Sequence, residues 1–141
     1  MNVASVGQAP VDFDDVMLER GYDGLRAYSQ SKLALIAFTF EVAERLRGTD
    51  VTVHALHPAS LMNTKMVCES FGSTLSTIED GLEAALPLVM GPALEGVSGR
   101  YFDGLREARA HTQAYDVEAR RRLWRLSEEL VGLARFHPVP R

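Results

Sequence analysis

A single cysteine, Cys68, stands among the 141 residues. Neither an intrachain disulfide nor a multi-cysteine metal site is available to the chain, and the thiol reads as an ordinary, semi-buried one. No apolar run approaches the roughly 20 residues that a membrane span needs. The opening MNVASVGQAP lacks the charged-then-apolar plan of a signal peptide. A surplus of positive charge is also missing. Fifteen Lys and Arg against nineteen Asp and Glu leave a formal net charge of −4. That balance argues against a sequence-independent grip on nucleic acid, which depends on cations neutralising phosphates. The histidines show no HxH or HExxH spacing, and His111 and His137 are isolated, so no metal site is expected. These absences leave a soluble, cytoplasmic chain with no membrane span and no nucleic-acid partner.

What is present suits one domain with a real core: 46% of the residues are hydrophobic, and a chain of this length buries roughly 68% of its unfolded surface. NVAS reads as a very short strand stopped by Gly7 and Pro10. Residues 9–26 read as a long connection with one helical turn near Val16 to Glu19. From Ala27 to Arg47 there is neither Gly nor Pro. There Leu33, Ile36, Ala37, Phe40, Ala43 and Leu46 recur at helical spacing, and Gly48 ends the run. VTVHAL (51–56) reads as a buried strand closed by His57-Pro58. Residues 59–74 form a mixed loop. Ser76 or Thr77 caps a helix to about Met90, with a kink or early end expected at Pro87. RYFDG (100–104) is a strand, and a last helix runs from the cap candidate Asp116 to about Leu130. Strand and helix alternate, which predicts an α/β sheet with crossover helices, mainly parallel.

The chemistry concentrates in Tyr28-Ser29-Gln30-Ser31-Lys32. Tyr28 and Lys32 are four apart, hence one helical turn apart on one face. An ammonium so placed favours the phenolate form of a tyrosine, which lets the phenol exchange a proton with a substrate oxygen. A Tyr and a Lys at this spacing also occur on ordinary amphipathic helices. The neighbours add weight. Ser5 stands at the carboxyl end of the first strand, Tyr28 at the start of the following helix, and His57-Pro58 at the end of the next strand. In open α/β sheets the ligand crevice lies outside the carboxyl ends of the strands.

The order NVASVGQ, YSQSK, VTVHALHPASLMNT, GRYF resembles the C-terminal half of a short-chain dehydrogenase/reductase, in its retinol-dehydrogenase-like and protochlorophyllide-reductase-like branch. The resemblance implies the C-terminal half of a Rossmann-like doubly wound parallel sheet. It makes residues 1–141 a single partial domain, the catalytic and substrate-binding half. It also implies NAD or NADP as cofactor and a small alcohol or carbonyl compound as substrate. Tyr28 would be the general acid/base, Lys32 would hold the nicotinamide ribose hydroxyls, and Ser5 would orient the substrate oxygen. Tyr28, Lys32, Pro58 and Thr64 would face the cofactor, with Thr64 on the carboxamide side. Residues 61–75, with Met62, Met66 and Phe71, match the variable substrate loop. A homo-oligomer through helix 27–47 is a further implication.

Two departures stand out. Ala59 occupies the place where the family carries Gly after the Pro. No glycine-rich phosphate loop occurs, and Gly96 and Gly99 precede a strand rather than a helix. The dinucleotide-binding half is therefore expected to be missing, as in a truncated product, a misassigned start or a fragment of a larger enzyme. The first strand should then expose an edge and an apolar patch. The alternative function is an inert fragment that acts only as an interaction or dimerisation module. His54 is expected in the core and His57 in a turn. Asp12, Asp14 and Asp15 read as a solvated acidic loop, and Arg120 to Arg122 as part of a mixed solvated face. Trp124 is expected to pack the last helix onto the body.

Overall fold

A computed structural model describes residues 1–133. Four strands, β1 (Asn2–Val3), β2 (His54–His57), β3 (Arg100–Asp103) and β4 (Arg106–Glu107), form one sheet in the order β1-β2-β3-β4. The first three run parallel, and β4 folds back antiparallel on β3. Four helices accompany them: α1 (Gly24–Arg45), α2 (Lys65–Phe71), α3 (Ile78–Met90) and α4 (Val117–Leu130). The expected α/β class and mainly parallel sheet are both present.

Both faces of the sheet are covered, as a parallel sheet requires. On one face α1 and α4 enclose Ala4, Leu33, Ile36, Phe40, Ala55, Tyr101 and Leu123. On the other, α3 lays Ala84 against Leu56 and Phe102. The alternation along β3 follows from the pleat, with Tyr101 on one side and Phe102 on the other. Trp124 fastens α4 to α1: it stacks on Phe38 at 5.3 Å and carries the Arg45 guanidinium 4.0 Å from its ring centre.

α1 is the long helix that the periodicity predicted, displaced by local chemistry at its start. Asp23 caps it by accepting from the Arg26 N–H at 2.7 Å, so the helix begins at Gly24 rather than Ala27. The helical turn expected near Val16 to Glu19 does not form. The Asp15 carboxylate takes the N–H groups of Glu19 and Arg20, and Leu18 has φ of 54°. β2 begins three residues late, because its ladder is set by register with Arg100–Asp103. α2 and β4 were not expected. α3 continues through Pro87 to Met90: Ala84 is buried before the proline, and Leu88 packs on the same cluster after it. α4 has its predicted cap, Asp116.

Four side chains depart from their expected settings. His57, expected in a turn, is instead the last residue of β2, where register with Asp103 extends the ladder. The Asp15 carboxylate, expected in solvent, is only 9% exposed because it turns in to the Glu19 and Arg20 N–H groups. Cys68 is exposed rather than semi-buried. Arg120 leaves the solvated face and reaches inward to within 3.8 Å of the buried Glu41, which also pairs with Arg45 at 2.9 Å. His54 is in the core as expected.

Candidate active site

The carboxyl ends of β1, β2 and β3 share one edge of the sheet because the three strands are parallel. β1 and β2 are held in step by the Ala4 N–H, which donates to the Leu56 carbonyl at 2.7 Å. The Asn2 side chain donates to Thr39 on α1 at 2.9 Å. That bond ties the start of β1 to the C-terminal half of α1, and the Ala9 N–H, donating to the Ser29 carbonyl at 3.2 Å, ties the chain beyond β1 to the first turns of the helix.

Ser5 follows β1 and is buried. Its Oγ accepts from the Gly7 N–H at 3.1 Å, which leaves the hydroxyl proton to donate. Gly7 lies between Ser5 and Tyr28: a Cβ there would stand 3.5 Å from Ser5 Oγ and 3.7 Å from Tyr28 Cε1. The Tyr28 side chain is 48% exposed, so its ring is open to a ligand. Lys32 Nζ lies 5.4 Å from the centre of that ring and donates to the Val3 carbonyl at 3.3 Å. Ser5, Tyr28 and Lys32 thus gather where β1 meets α1.

Pro58 follows β2 at the same edge and is partly buried. His57 just before it is buried, and its Nε2 meets the Ser60 hydroxyl at 3.0 Å. Burial pushes the His57 ring below its usual range, and the Asp103 carboxylate opposes that shift. Thr64 lies further along the connection and caps α2, its Oγ1 accepting from the Val67 N–H at 3.4 Å. Residues 61–76 close on themselves: the Leu75 N–H donates to the Leu61 carbonyl at 3.0 Å, and Met62 bridges Ser76. Around this loop Met66, Phe71 and Leu75 expose apolar side chains.

Sequence reasoning missed the residues that hold Ser5 from behind. The Ser5 carbonyl accepts from the Gln8 side chain at 2.9 Å and from the Tyr101 hydroxyl at 3.1 Å. Gln8 in turn accepts from the His111 N–H, and Gln113 clamps both backbone groups of Val11. No local motif announces such contacts, because their partners are about a hundred residues apart in the chain.

The donor set suits the ribose and nicotinamide end of a dinucleotide, with two hydroxyls and an ammonium where the end of β1 meets α1. No cradle for the phosphates accompanies it among the described residues. Gly96 and Gly99, both at positive φ, line a cavity of about 750 Å³ with Leu46, Gly48 and Asp50. That cavity lies beyond the carboxyl end of α1 and before the start of β3, away from Ser5, Tyr28 and Lys32. Among the described residues no group of three or more His, Cys, Asp or Glu could hold a metal ion. His137 lies outside those residues. No described helix is long and apolar enough to cross a membrane.

No protein-family model matches the chain. Curated relatives do. Retinol dehydrogenase 13 of Mus musculus is 39% identical, over 92% of this chain and 43% of the relative. Retinol dehydrogenase 14 of Homo sapiens is 37% identical, over 87% of this chain and 40% of the relative. The chain belongs with the short-chain dehydrogenase/reductases, on their retinol-dehydrogenase-like side. It spans less than half the length of these relatives. Among solved structures, an uncharacterized protein from Mycobacterium paratuberculosis superposes with a TM-score of 0.68 at 25% identity, over 93% of this chain and 49% of that one. A short chain dehydrogenase from Salmonella enterica serovar Typhi matches with a TM-score of 0.50 at 21% identity, over 74% of this chain and 40% of that one, and shows the fold. The short-chain dehydrogenase/reductase assignment agrees with the YSQSK helix and the strand ends that surround it.

Proposed function

We propose that the chain is a single partial domain carrying the catalytic and substrate-facing half of an NAD(P)-dependent oxidoreductase. Its substrate would be an apolar alcohol or carbonyl compound. The observation that carries this reading is the convergence of Ser5, Tyr28 and Lys32, with the ammonium 5.4 Å from the phenol ring and Gly7 within reach of both Ser5 and Tyr28. The relatives named retinol dehydrogenases support the reaction class.

When bound, the nicotinamide cofactor supplies or accepts the hydride. The Tyr28 hydroxyl gives a proton to the substrate oxygen in reduction and takes it back in oxidation. Ser5 donates its free hydroxyl proton to the same oxygen and so holds it in line with the phenol. Lys32, its ammonium 5.4 Å from the phenol ring, would hold the ribose hydroxyls. Thr64 has its oxygen engaged by Val67 and keeps its hydroxyl proton for the carboxamide. Pro58 shapes the turn beneath the ring. Met62, Met66 and Phe71 suit an apolar substrate, since thioethers adapt to irregular apolar shapes. Placement in the cytoplasm and association of two copies through α1 belong to the same proposal.

The test is steady-state kinetics on the full-length protein that carries this sequence, with NADH, NADPH and a series of apolar aldehydes. Tyr28→Phe should lower kcat by at least about a hundredfold, the usual worth of a general acid, with an unchanged Tm. Activity within a fewfold of the parent would remove Tyr28 from the mechanism. If the unsubstituted protein turned over none of these substrates with either cofactor, the inert-module alternative would be favoured.

A further inference from the structure

Tyr101 stands on β3, yet its hydroxyl reaches a carbonyl beyond β1. The register line Asn2, Ala55, Tyr101 runs straight across three strands. Ser5 lies three residues beyond that line toward the carboxyl edge. The Tyr101 side chain therefore crosses β2 diagonally, on the face where the paired residue is the small Ala55. It ends in a buried hydrogen bond of 3.1 Å to the Ser5 carbonyl. The Gln8 amide adds a second donor to that oxygen at 2.9 Å, and the His111 N–H anchors Gln8 from its other end at 2.8 Å. Tyr101 is only 3% exposed.

A carbonyl gripped by two donors cannot turn freely, and its peptide plane sets the direction of the adjoining Cα–Cβ bond. In this arrangement Ser5 Oγ points to the Gly7 N–H and lies on the Tyr28 side. We propose that Tyr101 and Gln8 are positioning residues for Ser5, aiming its hydroxyl at the oxygen that Tyr28 protonates. The proposal rests on the catalytic reading above, and it gives β3 a part in holding Ser5, which otherwise stands with Tyr28 and Lys32 where β1 meets α1. Burial holds the Tyr101 hydroxyl protonated to about pH 12, so it serves as a donor throughout the working range.

The test uses the full-length protein and two readouts. The first is amide hydrogen exchange at Gly7, which reports the Ser5 Oγ to Gly7 N–H bond without turnover. Tyr101→Phe should speed that exchange several-fold and leave the amides of α1 unchanged. The second is a double-mutant cycle on kcat. Tyr101→Phe alone should lower kcat by about tenfold, the scale of one hydrogen bond, and leave the KM for the cofactor unchanged. In a Ser5→Ala background it should lower kcat no further. A merely structural Tyr101 would give independent, multiplicative losses, or would leave Gly7 exchange unchanged, and either result overturns the proposal. Gln8→Ala is the second variant and should show the same non-additivity if Tyr101→Phe yields too little folded protein. Full activity in Tyr28→Phe would instead refute the catalytic reading itself, which keeps the two failures distinct.

Discussion

Single residues decide the protonation and stability behaviour of the chain. His54 is buried on β2 beside Phe102, and burial keeps its ring below the usual value of 6.5. His57 is depressed for the same reason, with Asp103 opposing. The folded state therefore binds fewer protons than the unfolded state once the pH falls through 6.5, and stability drops with acidification below that value. Asp80, held below 3.8 by the N–H and hydroxyl of Thr77, acts only in a more acid window. Thermal melts at pH 7.5 and 5.5 should give a lower Tm at the acid end. His54→Phe should shrink the difference, and an unchanged difference would assign it to other groups. Leu33, fully buried between α1 and the sheet, is the packing counterpart. Leu33→Ala should cost about 2–5 kcal/mol in a denaturant titration.

The elements differ in how plainly the sequence announces them. α1 and α4 were legible because their apolar residues repeat over three or more turns, and α4 also because Asp116 stands at its cap, whereas the Asp23 cap of α1 went unread and moved its start to Gly24. α2 was not: seven residues with a single buried side chain, Val67, leave no period to read. β4 is two exposed residues that exist only because β3 offers them a partner. β2 shifted because Val51, β-branched but 55% exposed, has no strand beside it. The Tyr28, Lys32 and Ser5 elements of the site could be read from their spacing and from strand ends. The hold of Tyr101 on Ser5 and the anchoring of Gln8 by His111 could not, since they depend on which distant segments become neighbours. α3 shows propensity yielding to packing and capping. Pro87 removes one helical hydrogen bond, while the Thr77 and Asp80 capping box and the buried Ala84 keep the helix in place. Thr77→Ala should destabilise the protein by about 1 kcal/mol, read from the midpoint of urea unfolding, and no change would mean that the cap contributes nothing to α3.

At the scale of the molecule the β1 side of the sheet stands open. β1 forms its edge, and Val3 beside it is 49% exposed. The outer face of α3 presents Ile78, Leu82 and Leu86 to solvent. A surface of this kind associates or binds apolar dyes. Residues 1–141 purified alone should bind such a dye and self-associate in sedimentation velocity, whereas a dye-silent monomer would contradict this reading of the edge. The site, by contrast, lies where parallel topology brings strand ends and a helix start together, so its geometry follows from the fold.

The most direct measurement is a crystal structure of the full-length protein with a nicotinamide cofactor and an unreactive alcohol. Ser5 Oγ and the Tyr28 hydroxyl should both lie within hydrogen-bond reach of the alcohol oxygen, with Lys32 Nζ on the ribose hydroxyls. An alcohol bound elsewhere, or a Tyr28 hydroxyl turned away from it while the cofactor is in place, would contradict the account.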